Sequence, residues 1–311
     1  MTNAIVTTTI NKPTQALLKF ISFKNWDVIV VGDLKTPHEL YFELEKDNKN
    51  FKYLSPDFQI QEYEELSELI GWNKIQRRTI GYLYAYNKNY DIIASVDDDN
   101  IPFDDWGKNI YLGKEISTYH YETDEICFDP VGVTNYNNLW HRGFPLQLLK
   151  NKKNYKIKIK TIIPDIQADF WNGDPDIDAV CRMEHYPMCY FDDKFFPIST
   201  NSFSPFNQQN TFISRSALKY YLAIPFIGRM DDIWPSYYCQ AKGFNVIYTK
   251  SSVFQDRNEQ NLTTNLKNEF IGYENTLNLL IDLKKNSDSL FNYLPDDSKK
   301  VVNLYNKSCI N

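Results

Sequence analysis

Short apolar runs alternate with amphipathic segments over the first hundred residues of the chain. Residues 4–10, 26–31 and 92–96 are rich in β-branched side chains, which predicts buried β-strands, and residues 51–54 predict a shorter one. Pro13 opens a predicted helix, and residues 73–86 have the apolar spacing of another. This alternation predicts an α/β fold with a mostly parallel central sheet and right-handed βαβ connections.

The pattern changes near residue 261, where the chain becomes helical and polar. Leu277, Leu279, Leu280 and Leu283 are spaced as the apolar anchors of a helix. We therefore predict two parts, a sheet domain at residues 1–258 and a C-terminal helical appendage at residues 259–311.

The composition excludes two classes of protein. The 311 residues are 42% hydrophobic, which is enough for a large core and excludes wholesale disorder. The formal net charge is −6, which makes the backbone of a nucleic acid an unfavourable partner. The sequence therefore predicts a globular protein that binds no nucleic acid.

The sequence also bears on the compartment. Residues 1–9 lack the basic and apolar regions of a signal peptide, and no segment has the apolar length of a membrane-spanning helix. The five scattered cysteines include no CxxC pair and support neither a disulfide framework nor a zinc site. We expect a cytoplasmic protein, which would reach lipid-linked material by peripheral association with the inner face of a membrane.

Three consecutive carboxylates, Asp97, Asp98 and Asp99, directly follow the apolar run 92–96. Such close carboxylates repel each other unless a cation lies beside them. Open α/β sheets bind ligands at the carboxyl ends of their strands, and oxygen ligands suit Mg²⁺ or Mn²⁺. We therefore expect a site for a divalent cation and a diphosphate. The alternative is a solvated loop that caps the next helix.

Two common phosphate-binding motifs are missing from the sequence, the Gly-x-Gly-x-x-Gly fingerprint and the Gly-x-x-x-x-Gly-Lys loop. Diphosphate binding would therefore depend on a metal and on side chains. Basic residues are concentrated at positions 151–160, which we interpret as a solvated edge or loop in preference to a patch for an acidic acceptor.

Three further clusters carry polar side chains that folding alone does not require. Asp33, after the second strand, could bind a base or ribose, or form a turn before Pro37. Arg142, which precedes a Gly-Phe-Pro turn, could bind a phosphate or a sugar carboxylate, or lie on the surface. The alternating aspartates of residues 174–178 could hold sugar hydroxyls or a second cation, or cap a helix that starts near Ala179.

Asp231 and Asp232 form another cluster, close to Trp234. A pair of carboxylates suits base catalysis on a hydroxyl, and the indole would form an aromatic wall for an acceptor sugar. Alternatively, one aspartate would cap the helix that holds Ile233 and Tyr237. Capping and catalysis are compatible roles.

The order of these motifs resembles that of the STELLO-type glycosyltransferase family. It is more distantly similar to the reversibly glycosylated polypeptides, the plant UDP-arabinopyranose mutases. The resemblance covers residues 5–257, most of the chain, and the short matching stretches within it are residues 30–37, 78–83, 97–99, 142–146, 174–178, 205–211 and 228–234. The resemblance implies a GT-A-like nucleotide-sugar-binding fold with a metal at an Asp-x-Asp pair.

The resemblance also implies roles for individual residues. Asp97 and Asp99 would bind Mn²⁺ or Mg²⁺, and Asp231 and Asp232 would lie near the reacting sugar. Arg142 matches the arginine that is glycosylated in the mutases. The nucleotide side of the site would consist of Asp33, Lys35, Arg78, Asp98, Asn207 and Gln208.

One departure from the family pattern concerns the third metal ligand. Both families tend to have a histidine near the end of the sheet domain, and Gln255 stands at that position in this chain. An amide oxygen binds Mn²⁺ less strongly than an imidazole does. Asp256 is a second candidate for the same role.

The sequence thus predicts a metal-dependent glycosyltransferase. It would take a nucleotide-sugar donor, which we expect to be a UDP-sugar, and transfer the sugar to a glycan or glycolipid acceptor. A nucleotide-sugar mutase is the second hypothesis, and a non-catalytic scaffold of polysaccharide synthesis is the third.

Overall fold

The computed structural model describes residues 2–257 and 260–309. Its first four strands are β1 (Asn3–Thr8), β2 (Asp27–Val31), β3 (Phe51–Leu54) and β4 (Ile92–Val96). They pair in parallel in the order β3-β2-β1-β4. The helices between them are α1 (Gln15–Ser22), α2 (His38–Asp47), α3 (Pro56–Ile70) and α4 (Arg78–Asn87), with a 3₁₀ turn at Ile75–Arg77 before α4. The predicted βαβ alternation is confirmed.

Local sequence accounts for most of these elements. Thr14 caps α1 because its hydroxyl accepts a hydrogen bond from the backbone N–H of Leu17 (3.1 Å). A Cβ at Gly81 of α4 would lie 2.6 Å from Val6 and 2.7 Å from Val31, so glycine allows α4 to pack closely on β1 and β2. Helix α2 was not predicted from the sequence. Tyr41 is its one fully buried residue, so the helix has no apolar stripe that a periodic pattern would reveal.

The remaining strands extend the same sheet. They are β5 (Asn100–Pro102), β6 (Ile116–Glu122), β7 (Lys156–Ile162), β8 (Ile166–Gly173), β9 (Ile198–Thr200), β10 (Asn210–Ser214) and β11 (Val246–Gln255). The full order is β3-β2-β1-β4-β10-β8-β11-β9-β6-β7, with β5 paired to β11. The sheet is therefore parallel in its first four strands and mixed beyond them. The predicted α/β class with a central sheet is confirmed.

The direction of three strands defines one edge of the sheet. Strand β10 runs antiparallel to both β4 and β8, and β8 runs parallel to β11. Strands β4, β8 and β11 therefore point the same way, and their carboxyl ends lie at a common edge. We call this edge the carboxyl edge.

The later helices are α5 (Ala179–His185), α6 (Arg215–Leu218), α7 (Ile233–Ala241), α8 (Leu262–Lys285) and α9 (Asp296–Ser308). The predicted anchors Leu279, Leu280 and Leu283 of α8 are buried in the same core as the sheet, and Leu277 is partly buried. Helix α8 is also joined to α7 by a hydrogen bond from Trp234 Nε1 to Thr276 Oγ1 (3.0 Å). The predicted division after residue 258 falls on residues outside the description and stays a prediction.

The basic stretch forms an exposed edge strand. Strand β7 ends the sheet order, and its first six residues are exposed. The solvated-edge interpretation of residues 151–160 is thereby confirmed. Exposed lysines on an edge strand disfavour pairing with a second chain.

All five cysteines are buried and carry free thiols. Burial raises the pKa of each thiol, for example that of Cys309 to about 11. In the part of the chain that the structure describes, no helix is both long and apolar enough to cross a bilayer.

Candidate functional site

Buried Arg78 and partly exposed Asp97 form an ion pair at the carboxyl edge. Arg78 Nη2 donates to Asp97 Oδ1 (2.5 Å), and Arg78 Nη1 donates to the carbonyl oxygen of Gln208 (3.1 Å). Burial lowers the pKa of the Arg78 guanidinium, but the Asp97 charge acts in the opposite direction and the net shift is upward. Helix α4 thus contributes a permanent positive charge next to the end of β4.

Asp98 binds the loop that follows β1. Its Oδ2 accepts hydrogen bonds from Thr9 Oγ1 (2.5 Å) and Asn11 Nδ2 (3.1 Å), and its carbonyl oxygen accepts one from Thr14 Oγ1 (2.5 Å). These bonds fix the backbone of the acidic triplet against the start of α1. The predicted role of Asp98 toward a nucleotide stays a prediction.

Asp99 has an unpaired oxygen in a buried position. Among the described residues, its Oδ1 has no hydrogen-bond partner, and neither have Asn100 Oδ1 and Gln209 Oε1. Burial is the main cause that raises the pKa of the Asp99 carboxyl to about 7, and the charge of Asp97 is the second. Unpaired oxygen acceptors together with a destabilised carboxylate are a donor set that fits Mg²⁺ or Mn²⁺.

Gln255, the predicted third metal ligand, ends β11 next to this group. It pairs with Asn100 of β5 and with Gly173 of β8. Its Oε1 accepts a hydrogen bond from Arg257 Nη2 (3.1 Å), so this oxygen is engaged in the present arrangement. Within residues 2–257 and 260–309, no three His, Cys, Asp or Glu side chains are arranged so that they alone could hold a metal ion. A cation here would need oxygens from a bound ligand.

Arg142 is buried between two carboxylates, which excludes the surface-arginine interpretation. Its Nη1 and Nη2 donate to Asp232 (2.8 and 3.0 Å), and its Nε and Nη2 donate to Asp176 Oδ2 (2.9 and 2.6 Å). Burial lowers the pKa of this guanidinium. The charges of Asp176 and Asp232 together have the larger effect and bring the pKa well above its usual value. At Gly143, φ is +88° and a Cβ would lie 2.2 Å from Ile233, so glycine allows this turn to reach the start of α7.

Asp232 occupies the N-cap position of α7, but its side chain makes no capping hydrogen bond. Its Oδ2 instead accepts hydrogen bonds from Arg142 and from the backbone N–H of Gln208 (3.1 Å). The interpretation of the pair as helix caps is therefore wrong, because the arginine competes successfully for the carboxylate. Asp232 serves to hold Arg142 and the segment around Gln208 together.

Asp231 has different surroundings from its neighbour. Its Oδ2 accepts a hydrogen bond from Gln76 Nε2 (2.7 Å). Burial is the main cause that raises the pKa of the Asp231 carboxyl to about 7, and the charge of Asp232 is the second. The charge of Arg142 partly opposes this shift. A carboxylate with a pKa near neutrality can accept a proton from a hydroxyl and release it again.

The alternating aspartates after β8 bind arginines and a helix. Asp174 Oδ1 lies 2.5 Å from Arg182 Nη1, and Asp176 Oδ1 lies 2.9 Å from Arg229 Nη2. Asp178 caps α5 by accepting hydrogen bonds from the N–H groups of Val180 (2.9 Å) and Cys181 (3.2 Å), as the helix-cap interpretation predicted. For Asp176, burial raises the pKa, but the surrounding arginines, led by Arg142, bring it well below its usual value. The cations that this cluster holds are guanidinium groups.

Three residues at this site were not predicted from the sequence. Arg229 pairs with Asp176 and through its Nε with Glu269 Oε1 (2.8 Å), and Arg257 lies within 4 Å of Asp174 and Asp176. The position of Arg229 two residues before Asp231 was an available signal. Glu269 offered none, since it looks like an ordinary polar residue of a long helix.

These side chains enclose a cavity of about 190 Å³, which we call the central cleft. Its charged lining comprises Arg78, Arg142, Arg229, Arg257, Asp97, Asp176, Asp231 and Asp232. Four guanidinium groups thus face four carboxyl groups, and the lining is close to neutral. A diphosphate would bring uncompensated negative charge into the cleft unless a cation accompanied it.

The remaining residues predicted for the nucleotide side differ in position. Asp33 is 1% exposed, and its carboxylate accepts hydrogen bonds from the N–H groups of Leu34, Asn73 and Lys74 (2.7–3.0 Å), as the turn interpretation predicted. Lys35 is exposed. Gln208 lines the central cleft, and Asn207 supports it by donating from Nδ2 to Asp176 Oδ2 (3.1 Å).

The expectation of an aromatic wall at Trp234 is wrong. This indole is fully buried under α8, and its Nε1 donates to Thr276. The residue faces inward because it begins the buried side of α7, whose residues Ile233 to Cys239 are all buried. An acceptor cannot stack on it.

Comparison with known proteins confirms the resemblance that the motif order predicts. No protein-family model matches the chain. Two proteins of Arabidopsis thaliana do, "Probable glycosyltransferase STELLO2" at 26% identity and "Probable glycosyltransferase STELLO1" at 24% identity, each over 188 residues. Each match covers 57% of this chain and 24% of the relative, so the chain spans about a quarter of the length of these curated relatives.

One solved structure extends over most of the chain. It is the crystal structure of glucosyl-3-phosphoglycerate synthase from Mycobacterium tuberculosis in complex with phosphoglyceric acid. The sequence identity is 12%, the TM-score is 0.44, and the match covers 95% of this chain and 81% of that chain. A similarity of this size carries no conclusion about activity.

Proposed function

We propose that this chain is a glycosyltransferase that takes a nucleotide-sugar donor, with UDP as the nucleotide and a glycan or glycolipid as the acceptor. The observation that carries the proposal is the convergence of Asp97, four arginines and Asp231 on one cleft at the carboxyl edge, where Asp97 begins the acidic triplet. Ligands of α/β sheets bind at this edge. The similarity to STELLO-type proteins, which are named as glycosyltransferases, supports the same reaction class.

The charge balance of the central cleft supports metal dependence. Because its four arginines are matched by four aspartates, the protein alone supplies little net attraction for a diphosphate. Asp97 and Asp99 would hold Mn²⁺ or Mg²⁺. Asn100 follows them in the chain and donates a hydrogen bond to the carbonyl oxygen of Gln209, and both residues have an unpaired side-chain oxygen. The bound ion would neutralise charge that develops on the departing nucleoside diphosphate.

Asp231 is the residue that we assign as general base. It would accept the proton of the acceptor hydroxyl as that oxygen bonds to the anomeric carbon and the bond from this carbon to the diphosphate breaks. Its raised pKa, about 7, suits this task, because a base near neutrality is both deprotonated often enough and basic enough. Asp232 is a positioning residue, since both of its oxygens are engaged by Arg142.

The surroundings of Arg142 favour transfer over the mutase hypothesis. A nucleophilic nitrogen requires a neutral guanidine, whereas Asp176 and Asp232 stabilise the charged form and raise its pKa. All three of its nitrogen atoms donate to carboxylates. Incubation with UDP-sugars in the absence of an acceptor, followed by chromatography, should therefore yield no ring-contracted UDP-sugar.

The free thiols accord with a reducing compartment, and we extend the proposal to a cytoplasmic location. Peripheral association with a membrane surface would bring a glycolipid acceptor within reach. Fractionation of cells into soluble and membrane-bound material, with and without high salt, tests both statements. A protein that sediments with membranes after a salt wash would contradict peripheral association.

Cooperative binding of metal and nucleotide is the main test of the proposed function. Mn²⁺ and UDP together should stabilise the protein more than the sum of their separate effects, because each supplies charge that the other needs. A ligand at a hundred times its dissociation constant contributes about 2.7 kcal/mol. Thermal unfolding of the full chain with Mn²⁺, UDP, both, or UDP with EDTA measures the effect.

Asp99→Asn is the matched variant for this test. The substitution keeps the shape of the side chain but removes the charge, so the joint stabilisation by Mn²⁺ and UDP should be lost while unfolding remains cooperative. If EDTA leaves the affinity for UDP unchanged, the metal-bridged site is wrong. If no nucleotide stabilises the wild-type protein at all, the non-catalytic scaffold becomes the better hypothesis.

A further inference from the structure

Three large apolar side chains are exposed on one short segment beside the site. Tyr186 is 74% exposed, Met188 is 56% exposed and Tyr190 is 59% exposed. We call residues 186–190 the aromatic loop. Exposed aromatic residues this close together on a monomer mark a binding surface more often than scattered single residues do.

The backbone of the aromatic loop is held while its side chains remain free. The N–H of Tyr186 donates to the carbonyl oxygen of Arg182 (3.0 Å) at the end of α5. Cys189 and Gly173 exchange two backbone hydrogen bonds (2.7 and 2.8 Å), and the N–H of Tyr190 donates to Tyr136 Oη (2.8 Å). A fixed backbone that presents exposed rings loses little conformational entropy when a ligand binds.

The loop lies next to the central cleft. Gly173, which pairs with Cys189, also pairs with Gln255 at the end of β11, and Gln255 pairs with Asn100 after the acidic triplet. Two strand spacings therefore separate the loop from Gln255, a distance of about 10 Å. The ring of Tyr190 also lies 6.3 Å from that of Phe254, which precedes Gln255.

We propose that the aromatic loop is an acceptor subsite that binds a neutral glycan by stacking. The inference rests on the proposed function and names where its acceptor lies. A tyrosine ring offers an apolar face to the C–H face of a pyranose and a hydroxyl to its polar rim. The distance of about 10 Å from Gln255, whose side chain accepts a hydrogen bond from Arg257 of the cleft lining, is short enough for one oligosaccharide to contact both the loop and the cleft.

The charges around the loop select among possible occupants. The carboxylates on either side of it have basic neighbours: Asp193 lies 3.6 Å from Lys250, Asp192 lies 2.7 Å from Lys194, and Glu184 lies 3.6 Å from His185. A surface without excess positive charge does not attract the anionic surface of a membrane or an anionic acceptor. A neutral glycan needs no such attraction and meets the exposed rings.

Binding of the full chain to an array of neutral and anionic glycans, with Mn²⁺ and UDP present, tests the subsite. The probe variant is the double substitution Tyr186→Ala with Tyr190→Ala. The control is Tyr119→Ala, an exposed tyrosine on β6. We expect the wild-type protein and the control to retain a neutral glycan and the double variant to lose about tenfold in affinity. Stabilisation by Mn²⁺ and UDP should be equal in all three proteins.

Several outcomes would overturn the subsite. One is a wild-type protein that retains no neutral glycan, and another is a double variant that binds as tightly as the control. Pelleting with vesicles of phosphatidylcholine and phosphatidylglycerol provides a third, since vesicle binding that requires the two tyrosines would make the loop a membrane anchor. Failure of the proposed function is separate, because it would show as a loss of Mn²⁺–UDP stabilisation in the wild-type protein.

Discussion

Asp231 and Asp232 are adjacent in the chain but differ in what they can do. Asp232 gives both oxygens to Arg142 and one of them also to the N–H of Gln208, so it has little capacity left for a substrate. Asp231 shares one oxygen with Gln76 and has a pKa raised to about 7. The difference arises because the buried guanidinium of Arg142 pairs with Asp232. Asp231 has no such partner, and burial therefore raises its pKa.

Asp231→Asn should lower turnover about 10²- to 10⁴-fold, because the variant lacks the group that accepts the proton. Stabilisation by Mn²⁺ and UDP should remain, since Asp231 does not belong to the acidic triplet. The measurement is the rate of UDP release from UDP-sugars, together with the melting temperature with and without Mn²⁺ and UDP. Asp124→Asn, at an exposed position, is the control. A variant that retains full turnover would show that Asp231 is not the base.

Helix α8 contributes to the site through a single buried side chain. Glu269 is fully buried, and its Oε1 lies 2.8 Å from Arg229 Nε. Its Oε2 accepts hydrogen bonds from the N–H of Ala179 (3.0 Å) and from Tyr273 Oη (2.9 Å). One carboxylate therefore joins α8, α5 and the arginine that holds Asp176. The C-terminal helices are coupled to the central cleft by this contact.

Glu269→Gln should lower the free energy of unfolding by about 1 kcal/mol, because Arg229 keeps its pair with Asp176 but its Nε loses the buried carboxylate beside it. We place the effect at the lower end of the usual range, since Glu269 also raises the pKa of the nearby Asp178 carboxyl and this repulsion would be relieved. Urea unfolding measures the change. Glu274→Gln on the exposed side of the same helix should leave stability within 0.5 kcal/mol. Equal stability of both variants would mean that Arg229 is satisfied elsewhere.

Among the described residues, burial raises the pKa values of five aspartates, to about 6 for Asp129 and Asp169 and higher for three others. The pKa values of Asp99, Asp178 and Asp231 are each raised to about 7, in every case mainly by burial. Between the pKa of the unfolded chain, near 4, and about 7, the folded protein therefore binds more protons than the unfolded one. Stability from these groups is present at low pH and is lost as the pH rises through this window.

The melting temperature of the metal-free protein should therefore fall as the pH rises from 5 to 8. Differential scanning calorimetry in the presence of EDTA gives the profile. The double variant Asp99→Asn with Asp231→Asn should show a flatter profile, because an amide does not titrate. A melting temperature that instead increases over this range would show that His120 and His141, whose pKa values are lowered mainly by burial, outweigh these carboxyls.

The first four strands and the class of fold were predictable from the sequence for a local reason. Residues 92–96 are apolar except for Ser95, and the structure buries all five of them as β4. Residues 156–162 are rich in lysine and isoleucine, and the structure exposes the first six of them, including Ile157 and Ile159. Neighbouring positions therefore suffice for β4, whereas the exposed isoleucines of β7 depend on its place at the edge of the sheet.

The order of the motifs predicted most residues of the site, but it did not predict their hydrogen-bond and ion-pair partners. The sequence offered Arg142 as a surface group or a catalytic one, and the structure buries it between Asp176 and Asp232, 34 and 90 residues away. It offered Trp234 as a wall for a sugar, and α8 covers that indole. It gave no sign of Glu269, whose importance depends on Arg229 approaching from another element.

The physical reason for this division is the range of the forces involved. Hydrophobic periodicity is set by residues that are neighbours in the chain, and it can be read without knowing how elements pack. The pKa of a carboxyl and the exposure of a ring depend on charges and surfaces brought from distant segments. Thus the sequence sufficed for the first four strands, the acidic triplet and the family resemblance. The folded chain was needed to distinguish Asp231 from Asp232 and to reveal the aromatic loop beside the cleft.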